Sequence, residues 1–267
     1  MALQFLSLAS GSSGNCYYLG TGNYGILLDA GISFRTIKQR LKENAIEIEQ
    51  IMAVFITHDH LDHIKSVGGL GEAQGIPIYT TQLIHTGIEN NRYVDAKLYT
   101  SRKIIEKNRA VTVKDFSITA FNVPHDANDC VGYLIQYEHH NFVLATDVGH
   151  IDETVGSYIR IANHLIIEAN YDKEMLLQGH YPDFLKERIM NGSGHLCNSE
   201  TADFLAANFD SRLKNIWLCH LSKNNNHPIL AYKAVKLAFD QLGICIGKDV
   251  NLATLQRTAS SELYLLK

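Results

Sequence analysis

Short runs rich in apolar residues recur along the chain and give its first reading. They occur at LQFLSLA (3–9), YGILLDA (24–30), IMAVFIT (51–57), IPIYTT (76–81), DFSITAFNV (115–123) and CVGYLIQY (130–137). Further runs are NFVLATD (141–147), HLIIEAN (164–170), NIWLCHL (215–221), VNLATL (250–255) and ELYLL (262–266). Their length and their content of branched and aromatic residues predict β-strands. Helical spacing predicts helices over about 33–44, 61–75, 152–162, 173–191, 198–209 and 228–242. In SFRTIKQRLKENA, Phe34, Ile37 and Leu41 share one face behind a Ser33 cap, and Asn198 or Ser199 is placed to cap a later helix. Strands and helices alternate at both ends of the chain around a central stretch in hairpin order. That mixture implies an α/β protein of two sheets packed together with helices outside, not one parallel sheet.

Composition narrows this only slightly. The 267 residues, 46% hydrophobic and 19% charged, suffice for a full core, and with four prolines and no low-complexity linker they read as one domain over 1–267. A formal charge of -4 supplies no bulk electrostatic reason to expect nucleic acid, although a local positive site or bound divalent ions can act within an acidic protein. Cys16, Cys130, Cys197, Cys219 and Cys245 are odd in number and never spaced C-x-x-C, which argues against a disulfide framework or a thiolate zinc knuckle. With no leader-like start and no membrane-length apolar segment, the expectation is a cytoplasmic protein that makes no membrane contact.

The chemistry begins at VFITHDHLDHIKS, residues 54–66. His58 and His60 alternate at the end of a strand and so project to one side, while Asp62 and His63 follow where a helix is expected. One ion cannot readily use four ligands from so short a segment, whereas two adjacent ions can share them. The remaining ligands are then expected at the ends of later strands, where His125, Asp147 and His220 each follow an apolar run.

The pattern T-H-D-H-L-D-H with later His125, Asp147 and His220 resembles the metallo-β-lactamase superfamily. LASGSSGNCYYL, NVPHDA, EANYD, YPDFLKERI, SGHLCN and HLSKNNNHP carry a narrower similarity, nearly end to end, to its WalJ/YycJ (VicX) branch. The resemblance implies an αββα sandwich of two mixed β-sheets with outer helices. It implies that His58, His60 and His125 bind one divalent ion, that Asp62, His63 and His220 bind a second, and that Asp147 bridges them. Asp29 matches an aspartate that supports the metal loop without binding metal. The branch is associated with 5′ to 3′ DNA exonuclease activity and is encoded beside a two-component cell-wall regulator, which suggests DNA as substrate and a functional link to that pathway. About seventy residues separate Asp147 from His220, too few for the β-CASP cap that some relatives insert there.

Five imidazoles and two carboxylates suit zinc, manganese or iron. Two such ions would supply a bridging hydroxide as nucleophile near neutral pH, oriented by Asp62, and would neutralise charge on a phosphoryl oxygen. His195, in NGSGHLCN, is the candidate proton donor to the leaving oxygen, paired with Glu168. Ser10, Ser12, Ser13 and Asn15 of SGSSGN and Lys223 of HLSKNNNHP are candidate substrate contacts, whereas His139 and His140 read as hairpin or surface residues. A metal-dependent hydrolase of a small ester, thioester or lactone is the alternative on the same ligands, and a non-catalytic metal-binding protein is the third reading.

Overall fold

The strands form where branched and aromatic side chains can be buried on a pleated surface. The computed structural model describes residues 2–94 and 97–266. Strands β1 (Leu3–Ala9), β2 (Cys16–Gly20) and β3 (Gly25–Leu28) lead into helix α1 (Phe34–Glu43). They are followed by β4 (Ile51–Phe55), α2 (Leu61–Ile64), β5 (Ile78–Thr80), α3 (Gln82–Asn90) and β6 (Arg102–Ile104). Next come β7 (Ala110–Val113), β8 (Phe116–Asn122), β9 (Val131–Tyr137), β10 (His140–Ala145), α4 (Glu153–Arg160) and β11 (His164–Glu168). Helices α5 (Lys173–Gln178), α6 (Asp183–Met190) and α7 (Asn198–Ala207) then precede β12 (Asn215–Cys219), α8 (Pro228–Gln241), β13 (Asn251–Thr254) and β14 (Tyr264–Leu266).

Two seven-stranded mixed sheets result, ordered β14-β1-β2-β3-β4-β5-β6 and β13-β12-β11-β10-β9-β8-β7. The chain divides into two compact units: Met1–Ala120, Ala127–Cys130 and Gln256–Lys267 form one, and Phe121–Asp126 with Val131–Leu255 form the other. In the first unit β3 runs parallel to β4, with Leu28 opposite Phe55, so Asp29 and Thr57 leave the sheet at the same edge. In the second, β10, β11 and β12 are parallel, and their carboxyl ends bring the residues after Ala145, Glu168 itself and the residue after Cys219 to one edge. Parallel strands covered on both faces are apolar throughout, and β3 and β11 are buried at every position. Phe5, Tyr17, Tyr18 and Phe55 fill the core of the first unit, and Tyr133, Phe142 and Trp217 that of the second.

All eleven expected strands form. Three more lie outside those runs. The edge strands are short and at most half-buried, β6 as RKI and β7 as AVTV, and β2, buried throughout, offers only CYYLG behind a Gly/Ser loop. Helix α3 was also missed, because His85 and Gly87 sit with Ile84 and Ile88 on its buried side and hide the apolar period. The helix expected over 61–75 is regular only at Leu61–Ile64, followed by a wide turn at Gly69–Ala73 among clustered glycines. The one expected over 173–191 is two helices, broken by Gly179 and Pro182. Ser33 caps α1 as expected, accepting from Thr36 N–H. The cap of α7 is Cys197, one residue before the expected Asn198 or Ser199, and its N–H donates to Glu200. His140 is likewise no surface residue: it is buried in β10, its Nδ1 lying 2.9 Å from His164 Nε2.

Gly31 shows how tightly the first unit closes around its loops. A Cβ there would lie 1.6 Å from the Asp62 carbonyl oxygen and 2.8 Å from Asn15 N, both backbone atoms that cannot swing away. Gly31→Ala is therefore expected to lower the melting temperature by roughly 3–10 °C, the equivalent of about 1–3 kcal/mol of overpacking. An unchanged melting curve would contradict this packing.

Candidate metal centre

Within the first unit, Thr57 and His58 follow β4, and His60 precedes α2, which carries Asp62 and His63. Backbone bonds sew this loop to its neighbours. Ala30 N–H donates to His63 O, Asn15 N–H to Asp62 O and Gly31 N–H to Asn15 O, each at 2.8 Å. Asp29 lies beneath, fully buried, and its Oδ1 accepts from Thr57 N–H at 2.8 Å and its Oδ2 from His63 Nδ1 at 2.7 Å. A carboxylate can only accept here, so His63 carries its proton on Nδ1 and presents Nε2 as a lone pair. The Asn15 amide donates to that Nε2 at 2.9 Å. Thr57 Oγ1 donates to Asp29 and accepts from His58 Nδ1 at 3.0 Å, which turns a second imidazole the same way. Burial raises the Asp29 carboxyl above its ordinary pKa, and His63 and Thr57 offset only part of that rise. The rings of His58 and His63 lie 4.0 Å apart, and those of His58 and His60 4.6 Å apart.

The second unit repeats the device. Glu168 ends β11 with no exposed surface. Its Oε1 accepts from His195 Nδ1 at 2.8 Å and His220 Nδ1 at 2.9 Å, and its Oε2 from Val148 N–H at 2.9 Å and Leu196 N–H at 3.1 Å. Burial alone would raise this carboxyl, but His195 and His220 outweigh it and hold it well below the usual carboxylate range. Asp147 lies beside them, its Oδ1 3.3 Å from His220 Nδ1 and its Oδ2 accepting from Thr146 Oγ1 at 2.7 Å. Donor atoms of Asp147, Glu168, His195 and His220 all fall within 4.8 Å of one another. His125 donates from Nδ1 to Gly194 O at 3.0 Å, and its Nε2 lies 3.4 Å from Asp126 Oδ1 and 3.9 Å from Asp147 Oδ1. His195 is the most open of these imidazoles, with 21% of its side chain exposed. Burial lowers its pKa, Glu168 and Asp147 raise it by more, and the net shift is upward.

Three of these residues share a further feature. Asp29, Asp147 and His220 have φ of 60°, 54° and 53°. Each is the left-handed conformation that costs a residue with a Cβ roughly 1–2 kcal/mol, and here it turns a strand end so that a polar side chain points into its cluster.

The donor chemistry fits divalent metal: imidazole nitrogens held in one tautomer and carboxylate oxygens, with no thiolate among them. The first unit thus gathers His58, His60, Asp62 and His63 over Asp29, and the second gathers His125, Asp147, His195 and His220 around Glu168. Other expectations need correction. Glu168 bonds His195 as expected, but it is fully buried and holds His220 as well, so its place is behind the imidazoles. Ser10, expected to meet substrate, is instead buried against the Tyr17 hydroxyl at 2.9 Å, and Asn15 is buried with its amide on Gly11 N–H and His63. Ser12, Ser13 and Lys223 are exposed. Of the amides after Lys223, Asn225 and Asn226 are buried, and Asn226 bonds Asn198 and the carbonyls of Ala169 and Asn170. Sequence reasoning passed over Thr57 and Thr146, signalled only by standing beside a ligand, and gave Asn15 a substrate role where the structure gives it a bond to His63.

A family model of the beta-lactamase superfamily domain matches residues 24–213, and the chain belongs to that superfamily. Its fold is the metallo-β-lactamase α/β sandwich: the metallo-beta-lactamase fold protein YhfI from Bacillus subtilis superposes with a TM-score of 0.70 at 19% identity, covering 98% of this chain and 99% of that one. Exodeoxyribonuclease WalJ of Streptococcus pneumoniae serotype 2 is 35% identical over 93% of both chains, and Exodeoxyribonuclease YycJ of Bacillus anthracis is 33% identical over the same share. The chain is a member of this WalJ/YycJ family.

Replacing Glu168 by Gln puts an NH2 group where only acceptors are tolerated. Glu168→Gln is expected to cost about 3 kcal/mol, as breaking a buried charge-assisted network does, seen as a fall in melting temperature of roughly 6–12 °C. A variant as stable as the parent would contradict the hydrogen-bond assignment.

Proposed function

We propose that the chain is a two-metal phosphodiesterase that degrades DNA exonucleolytically, 5′ to 3′. His58, His60 and His125 hold one divalent ion, Asp62, His63 and His220 hold the other, and Asp147 is shared. Bound there, such ions lower the pKa of water toward about 7 and neutralise charge on a phosphoryl group. This chain's own residues do the rest. Asp29 and Glu168 keep the protons of His63 and His220 on Nδ1, so that each ring presents Nε2 as its lone pair, the one of His63 resting on the Asn15 amide until a ligand replaces it. Asp62, with 24% of its side chain exposed, orients the attacking oxygen. His195 delivers a proton from Nε2 to the departing 3′-oxygen while Glu168 holds its Nδ1.

The observation that carries this reading is the partly open His195, bonded through Nδ1 to a sealed carboxylate and set beside Asp147. A protein that merely stored metal would need no such proton carrier. Two relatives named exodeoxyribonuclease, alike over 93% of this chain, point to the same chemistry.

Purified protein loaded with Mn²⁺ is expected to release nucleotides from end-labelled duplex DNA and to contain two ions per chain by elemental analysis. Cleavage of thioesters or lactones with no nucleotide release would replace this reading with a small-ester hydrolase. Asp62→Ala and His63→Ala are expected to abolish hydrolysis with the fold retained by circular dichroism. His195→Ala is expected to slow turnover by about 10²–10⁴-fold at unchanged metal content; metal loss in that variant would make His195 a ligand.

A further inference from the structure

Exposed Tyr93 and its neighbour Arg92 stand beside the metal loop without a role in the chemistry above. Tyr93 leaves 61% of its surface exposed, although a large aromatic ring ordinarily gains by burial. The Arg92 guanidinium lies 4.9 Å from the centre of the Tyr93 ring and donates to its hydroxyl at 2.9 Å. A planar cation is thus already stacked on an aromatic ring.

The pair is held in place. Asn91 Oδ1 accepts from Tyr93 N–H at 3.0 Å, and Asn91 O accepts from Val94 N–H at 3.3 Å. Asn91 Nδ2 donates to the carbonyl of Asp59, at 3.4 Å, and Asp59 stands between His58 and His60 in the metal loop. Helix α3, which ends at Asn90, rests on the same residue: a Cβ on Gly87 would lie 1.9 Å from Asp59 Oδ2. On the far side of the segment, Glu72 accepts from the backbone N–H groups of Tyr99, Thr100 and Ser101. Tyr99 is 78% exposed. In sequence, residues 91–103, NRYVDAKLYTSRK, carry Arg92, Lys97, Arg102 and Lys103 and one acid, Asp95; in the structure Arg102 lies 4.0 Å from Glu89, while Arg92 stays on Tyr93. Basic side chains interleaved with exposed aromatics suit the phosphates and base faces of an unpaired strand.

We propose that Tyr93, backed by Arg92, is a stacking platform for an unpaired base of the nucleic-acid strand, next to the metal loop. This rests on the nuclease reading and adds that the preferred substrate end is single-stranded. Stacking of one base predicts that Tyr93→Ala raises KM for a single-stranded oligodeoxynucleotide on the order of tenfold, with kcat within about twofold. Tyr93→Trp restores KM. A base analogue that reports stacking, 2-aminopurine placed in the unpaired end, is quenched on binding to the slow His195→Ala protein. That quenching disappears when Tyr93→Ala is added and returns with Tyr93→Trp. A wild type that digests DNA while Tyr93→Ala keeps its KM, or quenching that survives Tyr93→Ala, overturns the platform. A wild type that digests no DNA, with Tyr93-dependent quenching intact, ends the nuclease reading and leaves the platform standing.

Discussion

A buried carboxylate that accepts a hydrogen bond from the back of an imidazole underlies everything else in this molecule. Asp29 does this for His63, and Glu168 for His195 and His220. An imidazole free to rotate or to change tautomer is a poor ligand; one whose Nδ1–H is fixed presents the same lone pair every time. Sealing a carboxylate away from water is costly unless its oxygens are filled with donors. Both residues meet that condition, Asp29 through Thr57 and Glu168 through the backbone of Val148 and Leu196.

The same constraint accounts for the local backbone. Strand ends are where a chain can leave a sheet and aim a side chain, but Asp29, Asp147 and His220 must take left-handed φ to do so. The strain is tolerated because neighbouring segments bind each turn. Asn15 and Gly31 close on the metal loop of the first unit. In the second, Asn170 Nδ2 donates to His220 O at 2.9 Å, and Gly149 N–H donates to Pro124 O at 2.6 Å. Stability is given up at single residues and recovered in the hydrogen bonds around them, a pattern expected where geometry serves chemistry.

Much of this was legible in the order of residues. VFITHDHLDH announced a ligand loop because four ligand-type side chains follow one buried strand, and His125, Asp147 and His220 each repeated the motif of strand and then ligand. The aspartate of LLDAG was expected as a support only through the resemblance to the superfamily. What stayed hidden depended on pairing across the chain. Glu168 was legible as the partner of His195, but that it also serves His220 from behind follows from β11 lying parallel to β12, which no local pattern encodes. Asn15 read as a substrate contact because a Gly/Ser loop suggests phosphate, yet its amide is consumed by His63 and Gly11. Edge strands β6 and β7 were silent because an edge has little to bury, and helix α3 because a histidine and a glycine occupy its inner face.

Carboxylate-fixed imidazoles facing metal through Nε2 can be seen directly. Crystals grown with Mn²⁺ and measured on both sides of the manganese absorption edge would show where the ions sit. The account predicts two anomalous peaks per chain, with Nε2 of His63, His125 and His220 toward metal and their Nδ1 atoms still on Asp29, Gly194 O and Glu168. A single peak, or ligation through Nδ1 with those bonds broken, would contradict it.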